Sequence, residues 1–169
     1  MAPSNDEDLA LSRRAAAGDA AAFATLVSKH ERALRGFLSR MAGGDADDVG
    51  QEAFLKAWRH AGQYDGRARY STWLTRIAWR CRLDQLRKHR PIEPDAPPAH
   101  ETPGGAVEVE DMLARLSESE RAALILCEGH GWSHVEAAEL LDMPLGTLKS
   151  TVARAKTKCR ALWSGESHG

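Results

Sequence analysis

The sequence predicts an all-α protein: two small helical domains joined by a flexible linker, with a helix-turn-helix in the second domain. Three observations carry this expectation. Two S-x-x-E capping boxes, Ser117 with Glu120 and Ser133 with Glu136, open helices in the C-terminal third. A stretch rich in proline and glycine, PIEPDAPPAHETPGG from Pro91 to Gly105, can sustain neither helix nor strand. Elsewhere no segment alternates apolar and polar residues as a strand would, and no Asn-Gly or Asp-Gly turn is flanked by such alternation.

Helical patterning places helices near 6–17, 19–41, 46–61 and 71–90 in a first domain, 1–90. The third begins among Asp45, Asp47 and Asp48, whose charge complements a helix N-terminus. Phe54 and Trp58, four apart, are expected with Leu55 in the core. A loop from Gly62 to Tyr70 follows, and Ser71 is expected to cap the fourth helix. That helix interleaves Trp73, Ile77 and Cys81 with Arg76, Arg80, Arg82, Arg87 and Lys88. Aromatics among arginines suit single-stranded nucleic acid, because bases stack on rings while cations hold the backbone. Taken alone, the same helix is equally read as a core face backed by solvated arginines. Residues 91–107 form the extended linker. The second domain, 108–169, is expected to hold helices near 108–115, 117–129, 133–141 and 145–163.

The break from Leu141 to Gly146 separates the last two helices, and Pro144, with fixed φ and no N–H, suits the first turn of the second. In this final helix Leu148, Val152, Ala155, Cys159 and Leu162 recur as an apolar stripe. At about 100° per residue, Ser150, Ala153, Arg154 and Thr157 centre the opposite face. Lys149, Lys156 and Arg160 flank it on one side, and Thr147, Thr151 and Lys158 on the other. Between Pro144 and Trp163 lie five basic residues and no acidic one. A small-centred, cation-flanked helix behind a capped helix and a sharp turn fits a DNA major groove. A solvated basic face is the plainer alternative.

Charge is segregated along the chain. Its formal net charge is −1, yet residues 53–90 carry ten basic and two acidic groups, whereas 91–120 carry one basic and eight acidic. Two polyanion contacts separated by a segment that avoids polyanions would produce this pattern. Cys81, Cys127 and Cys159 lack C-x-x-C spacing and are expected to be reduced core thiols. No apolar run reaches the 18 or so residues of a membrane helix, and the polar N-terminus has no secretory pattern. The expectation is a cytoplasmic protein without membrane insertion. No nucleophile–base pair, Gly-rich phosphate loop or H-E-x-x-H motif appears, so no enzyme, cofactor or small-molecule substrate is expected. His130, Trp132 and His134 cluster before the helix-turn-helix. Without cysteine or carboxylate support they are read as surface residues rather than a metal site.

Three segments in order resemble the extracytoplasmic-function (ECF) group of bacterial sigma factors: DVGQEAFLKAW from Asp48, STWLTRIA from Ser71, and Leu116–Trp163 with its GTLKS from Gly146. The resemblance spans about Ala15 to Trp163. It implies that Asp48, Gln51 and Glu52 dock on the β′ clamp coiled coil of RNA polymerase core, with the β flap as a further core contact. It implies that Tyr64, Arg67, Trp73, Arg76, Arg80 and Asp84 engage the −10 promoter element and help to open it. It assigns Thr147, Lys149, Ser150, Thr151, Arg154 and Lys158 to duplex −35 DNA. Control by an anti-sigma factor and a stress or environmental response are also implied. The chain departs from the family pattern at Gly50, usually branched and apolar, at Thr151, often arginine, and at Arg80, often small or polar. Two other functions use the same fold: a mimic that sequesters an anti-sigma factor without binding DNA, and a stand-alone helix-turn-helix regulator. The basic residues Arg76, Arg80, Lys149 and Arg154 favour the sigma factor over the mimic. The 45–90 segment, which a stand-alone regulator leaves unexplained, favours it over the regulator.

Overall fold

The computed structural model describes residues 5–89 and 109–165. It divides into two compact units, Met1–Lys88 and His89–Gly169, all helix and turn among the described residues. The expected linker, 91–107, lies outside those residues.

The first unit contains α1 (Asn5–Ala16), α2 (Ala20–Ala42), α3 (Ala46–Arg59) and α4 (Tyr70–Lys88), with 3-10 turns at Gly43–Asp45 and Ala61–Gln63. Gly18, at φ +96°, ends α1 in a left-handed conformation open to glycine. Asp19 then caps α2, accepting the Ala22 N–H at 3.1 Å. That bond, with the Arg14 guanidinium 2.7 Å away, holds the Asp19 carboxyl below the ordinary range. The core is built on α2: Leu26, Leu34, Phe37, Leu38 and Met41 are all buried. Against them α3 presents Val49, Ala53 and Ala57, and α4 presents Leu74, Ala78, Trp79 and Cys81. Two alanines one turn apart let α3 pack closely on both α2 and α4.

Two expectations fail here. Leu55 is 56% exposed, because the buried stripe of α3 runs through Val49, Ala53 and Ala57 and turns Leu55 away. Ser71 does not cap α4. The helix already includes Tyr70, whose side chain is 1% exposed, and its early bond runs from Trp73 N–H to Arg69 C=O at 3.1 Å. Burial of the tyrosine ring pulls the helix start one residue back, and the Ser71 carbonyl instead accepts the Thr75 hydroxyl at 2.6 Å.

The second unit contains α5 (Val109–Ala114), α6 (Glu118–Leu124), α7 (His134–Leu140) and α8 (Leu145–Gly165). Both predicted capping boxes are formed. Ser117 and Glu120 exchange bonds at 3.1 and 3.2 Å, and Ser133 and Glu136 at 3.0 and 3.2 Å. The expected helix through 129 is α-helical only to Leu124 and continues as a π turn, Ile125–Gly129. Its wider loop carries His130 N–H to Ile125 C=O, and Gly131, at φ +67°, brings Trp132 N–H to Leu126 C=O, both at 3.0 Å. Ile125 and Leu126 stay buried while Glu128 reaches the Lys156 ammonium at 2.6 Å. Asp142, at φ +52°, closes α7, and Pro144 precedes the first residue of α8. Leu148, Val152 and Ala155 lock α8 onto Ala122, Ala123, Leu126, Ala137 and Leu140 in a common core. Truncating a buried leucine such as Leu148 to alanine costs about 2–5 kcal/mol.

Candidate nucleic-acid and protein interfaces

On α3 the turns of the helix place Asp48, Gln51, Glu52 and Leu55 in one outward stripe. Asp48 and Gln51 are exposed. Glu52 is partly engaged by Lys56, 3.3 Å away, and Lys56 also faces Asp84 of α4 at 3.7 Å. Gln51 and Leu55 border a groove of about 640 Å³ between α2 and α3, with Phe23, Val27, Leu34 and Phe54 on its apolar wall. Gly50 stands beside Leu38 in that groove, where a Cβ would lie 3.4 Å from Leu38 Cδ1. The missing side chain leaves the groove deeper there.

A second surface is formed by the loop before α4 and by α4 itself. Tyr64 is 4% exposed and donates its hydroxyl to the Ala68 carbonyl at 2.8 Å. Burial, reinforced by nearby Asp8 and Asp65, pushes its phenol up to about 12. Its ring meets Tyr70 edge-on at 5.1 Å and Trp73 at 5.5 Å. Tyr64 therefore braces Trp73 from below instead of standing outward. Arg67 is the opposite case: its side chain is 91% exposed on a turn held by Asp65, which accepts the Arg67 N–H at 2.9 Å. Arg76, Arg80 and Asp84 follow at four-residue intervals along α4, with Arg80 exposed. The six residues expected here occupy one loop and one helix face.

The third surface is the outward side of α8. Thr147, Lys149, Ser150, Ala153, Arg154 and Thr157 are exposed. Two expected members stand differently. Thr151 is 3% exposed, and its hydroxyl donates to the Thr147 carbonyl at 2.8 Å while accepting from Arg154 Nη2 at 3.3 Å. Its place beside the core stripe turns it inward, where it steadies the Arg154 guanidinium. Lys158 reaches back to α6, its ammonium 2.9 Å from both carboxylate oxygens of Glu120. Burial opposes ionisation of Glu120, but the Lys158 ammonium and the Ser117 N–H more than offset it and hold the carboxyl low. Lys158 thus ties α8 to the capping box of α6.

The three cysteines are free thiols, Cys81 buried and the others half-buried, and burial pushes each upward from its ordinary value. Among the described residues no cluster of three His, Cys, Asp or Glu side chains is placed to hold a metal, and no helix is long and apolar enough to cross a membrane.

Comparison with known proteins decides what these surfaces belong to. Residues 26–92 match the family Sigma-70 region 2, and residues 106–159 match Sigma-70, region 4. The ECF RNA polymerase sigma factor SigM of Mycobacterium tuberculosis is 36% identical over 155 residues, covering 86% of this chain and 79% of the relative. The chain belongs to the ECF sigma factors. RNA polymerase sigma factor NccH of Alcaligenes xylosoxydans xylosoxydans is 35% identical, with 95% of each chain covered. The solved complex of the sigma factor RpoE with the anti-sigma factor NepR from Bartonella quintana aligns with a TM-score of 0.68 at 25% identity, over 83% of this ECF sigma factor and 95% of that chain. The first unit is thus the region 2 unit and the second the region 4 unit. As a member of this family the chain is a transcription initiation factor.

Sequence reasoning missed one group of buried polar residues. Asp8, Ser12 and His30 are 2%, 0% and 7% exposed. The available signal was spacing: Asp8, Ser12 and Ala15 share a face of α1 otherwise flanked by charge.

Proposed function

We propose that this sigma factor brings RNA polymerase core to promoters through the outward α3 stripe of Asp48, Gln51 and Glu52. It opens the −10 element with the loop and α4 surface carrying Arg67, Trp73, Arg76, Arg80 and Asp84, and Tyr64 sets the Trp73 ring. It reads duplex −35 DNA with Thr147, Lys149, Ser150 and Arg154 of α8, with the β flap holding the region 4 unit on core. The observation that carries this reading is the outward face of α8, exposed, free of acidic residues and mounted behind a capped helix and a sharp turn. The action is binding without bond chemistry of its own, in the cytoplasm where core and DNA meet. Neither unit needs high affinity alone, because tethering two weak contacts on one polymerase supplies the avidity.

An inhibitory protein partner belongs to the same proposal. The related RpoE was solved with an anti-sigma factor, and the apolar groove bordered by Gln51 and Leu55 offers such a partner an apolar helix site that overlaps the core-docking stripe. The regulated genes are those of a stress or environmental response. The test is sequencing of transcripts started by core polymerase with and without the chain on genomic DNA. New starts sharing paired −35 and −10 sequences support the proposal. Starts unchanged by the chain sink it.

A further inference from the structure

We propose that α1 is a positioning element for promoter opening, holding the 61–69 loop and its aromatic rings in the geometry that the −10 element meets. The inference rests on the function proposed above. It concerns residues that precede the matched region 2 stretch, 26–92.

The contacts of α1 fall on the start and on the turn of that loop. The fully buried Ser12 hydroxyl donates to the Ala61 carbonyl at 2.9 Å, where the loop begins. Asn5 Nδ2 donates to the Gly66 carbonyl at 3.3 Å, beside exposed Arg67. Leu9 presses on the same point: a Cβ on Gly66 would lie 2.9 Å from Leu9 Cδ2, and Gly66 sits at φ +77°. Any larger residue there would be strained at that φ and would have to displace the Leu9 methyl.

Between these two anchors lies Asp8. Its carboxylate, 2% exposed, meets Lys29 Nζ at 2.7 Å and His30 Nε2 at 2.9 Å. The His30 ring stands 5.0 Å from Tyr70, which in turn contacts Tyr64 at 5.1 Å and Trp73 at 5.4 Å. A chain of packed groups therefore runs from α1 through α2 to the aromatic cluster. Burying a carboxylate, an imidazole and a hydroxyl is costly unless each is paired, and these pairs converge on the loop and its rings. An element serving only general stability would bury apolar groups more cheaply. A flipped base needs preorganised partners to offset its unstacking, and bonds at Ala61 and Gly66 hold the loop in one conformation before the base arrives.

The test uses the full chain reconstituted with core polymerase. Asn5→Ala and Ser12→Ala are made singly and together. Readouts are core affinity, initiation on a duplex promoter, and initiation on the same promoter premelted across the −10 element. Loss of two hydrogen bonds to the loop is expected to lower duplex initiation by about tenfold, with core affinity unchanged and premelted initiation restored to the unsubstituted level. Asn5→Ala, at a half-exposed position, carries the test by itself if Ser12→Ala fails to fold. Equal losses on duplex and premelted templates would reduce α1 to a structural helix and overturn the proposal, as would full activity on duplex. If the unsubstituted chain starts nothing on either template, the sigma-factor reading fails and the brace falls with it.

Discussion

Replacing Lys158 by alanine separates two roles that a basic residue on α8 can play. In the structure its ammonium lies 2.9 Å from both oxygens of Glu120, whose side chain is only 8% exposed while that of Lys158 is 52% exposed. Glu120 also accepts the Ser117 N–H at 3.1 Å to complete the cap of α6. Removing the lysine leaves a nearly buried carboxylate with the Ser117 N–H as its hydrogen-bond partner and only the weaker field of the Arg154 guanidinium in place of a paired cation. An unpaired group of that kind costs about 1–3 kcal/mol. The pair is open to water on the lysine side, which screens it and sets the expectation near the lower half, about 1–2 kcal/mol. An exposed lysine that only touched phosphate would change stability by no more than about 0.5 kcal/mol. Denaturant-dependent hydrogen exchange of the α6 and α8 amides in the full chain reads this unit alone. The partner measurement is the salt dependence of promoter binding by the reconstituted holoenzyme. Lys149→Ala, at an exposed residue, should lower the slope of log K against log salt by about 1 without destabilising α8. Lys158→Ala should do the reverse. If Lys158→Ala leaves exchange protection intact and lowers the salt slope, Lys158 is a phosphate contact and the strut reasoning is wrong.

Other expectations follow from the same geometry. Gly50→Ala should stabilise the region 2 unit by up to about 1 kcal/mol, since alanine is the better helix former and its Cβ meets Leu38 Cδ1 at a tolerable 3.4 Å. Calorimetry of the full chain would show the gain, and a loss would mean that Leu38 cannot yield. Burial lowers His30 from its ordinary 6.5 despite the opposing Asp8 carboxylate, with the Lys29 ammonium acting in the same direction as burial. The folded unit therefore binds fewer protons at His30 than the unfolded chain. That contribution to stability is complete above about pH 6.5 and is lost as pH falls below it; urea titrations at several pH values should show the slope, and His30→Gln should flatten it. Arg154→Ala should weaken −35-dependent binding by about 1–3 kcal/mol while leaving α8 exchange protection nearly unchanged, because Arg154 is exposed and the Thr151 hydroxyl it reaches keeps its bond to the Thr147 carbonyl.

The region 4 unit was readable because its signals are local. A capping box states its partner three residues away, and Ser117–Glu120 and Ser133–Glu136 both formed as read. The apolar stripe of α8 likewise placed Leu148, Val152 and Ala155 correctly. What failed depended on contacts distant in sequence. Leu55 looks like core in an apolar run, and only the packing of α3 through its alanines turns it out. Tyr70 draws α4 one residue earlier than Ser71 suggests because its ring is needed between His30 and Trp73. Thr151 and Lys158 sit on the flank expected to face DNA. The core boundary claims the first, and Glu120, 38 residues away in sequence, claims the second. The Asp8–His30 pair links two helices: the spacing of Asp8, Ser12 and Ala15 marks a buried face of α1 but does not name the partner 22 residues away.

The measurement that bears most directly on the central claim is quantitative binding of a cognate promoter by the full chain, with and without core polymerase at matched salt. Two weak surfaces acting jointly on a larger machine predict weak, sequence-indifferent binding by the free chain. With core present, binding should become specific and require both Arg154 and the α4 surface. Tight, sequence-specific binding by the free chain, unchanged when core is added, would contradict the account.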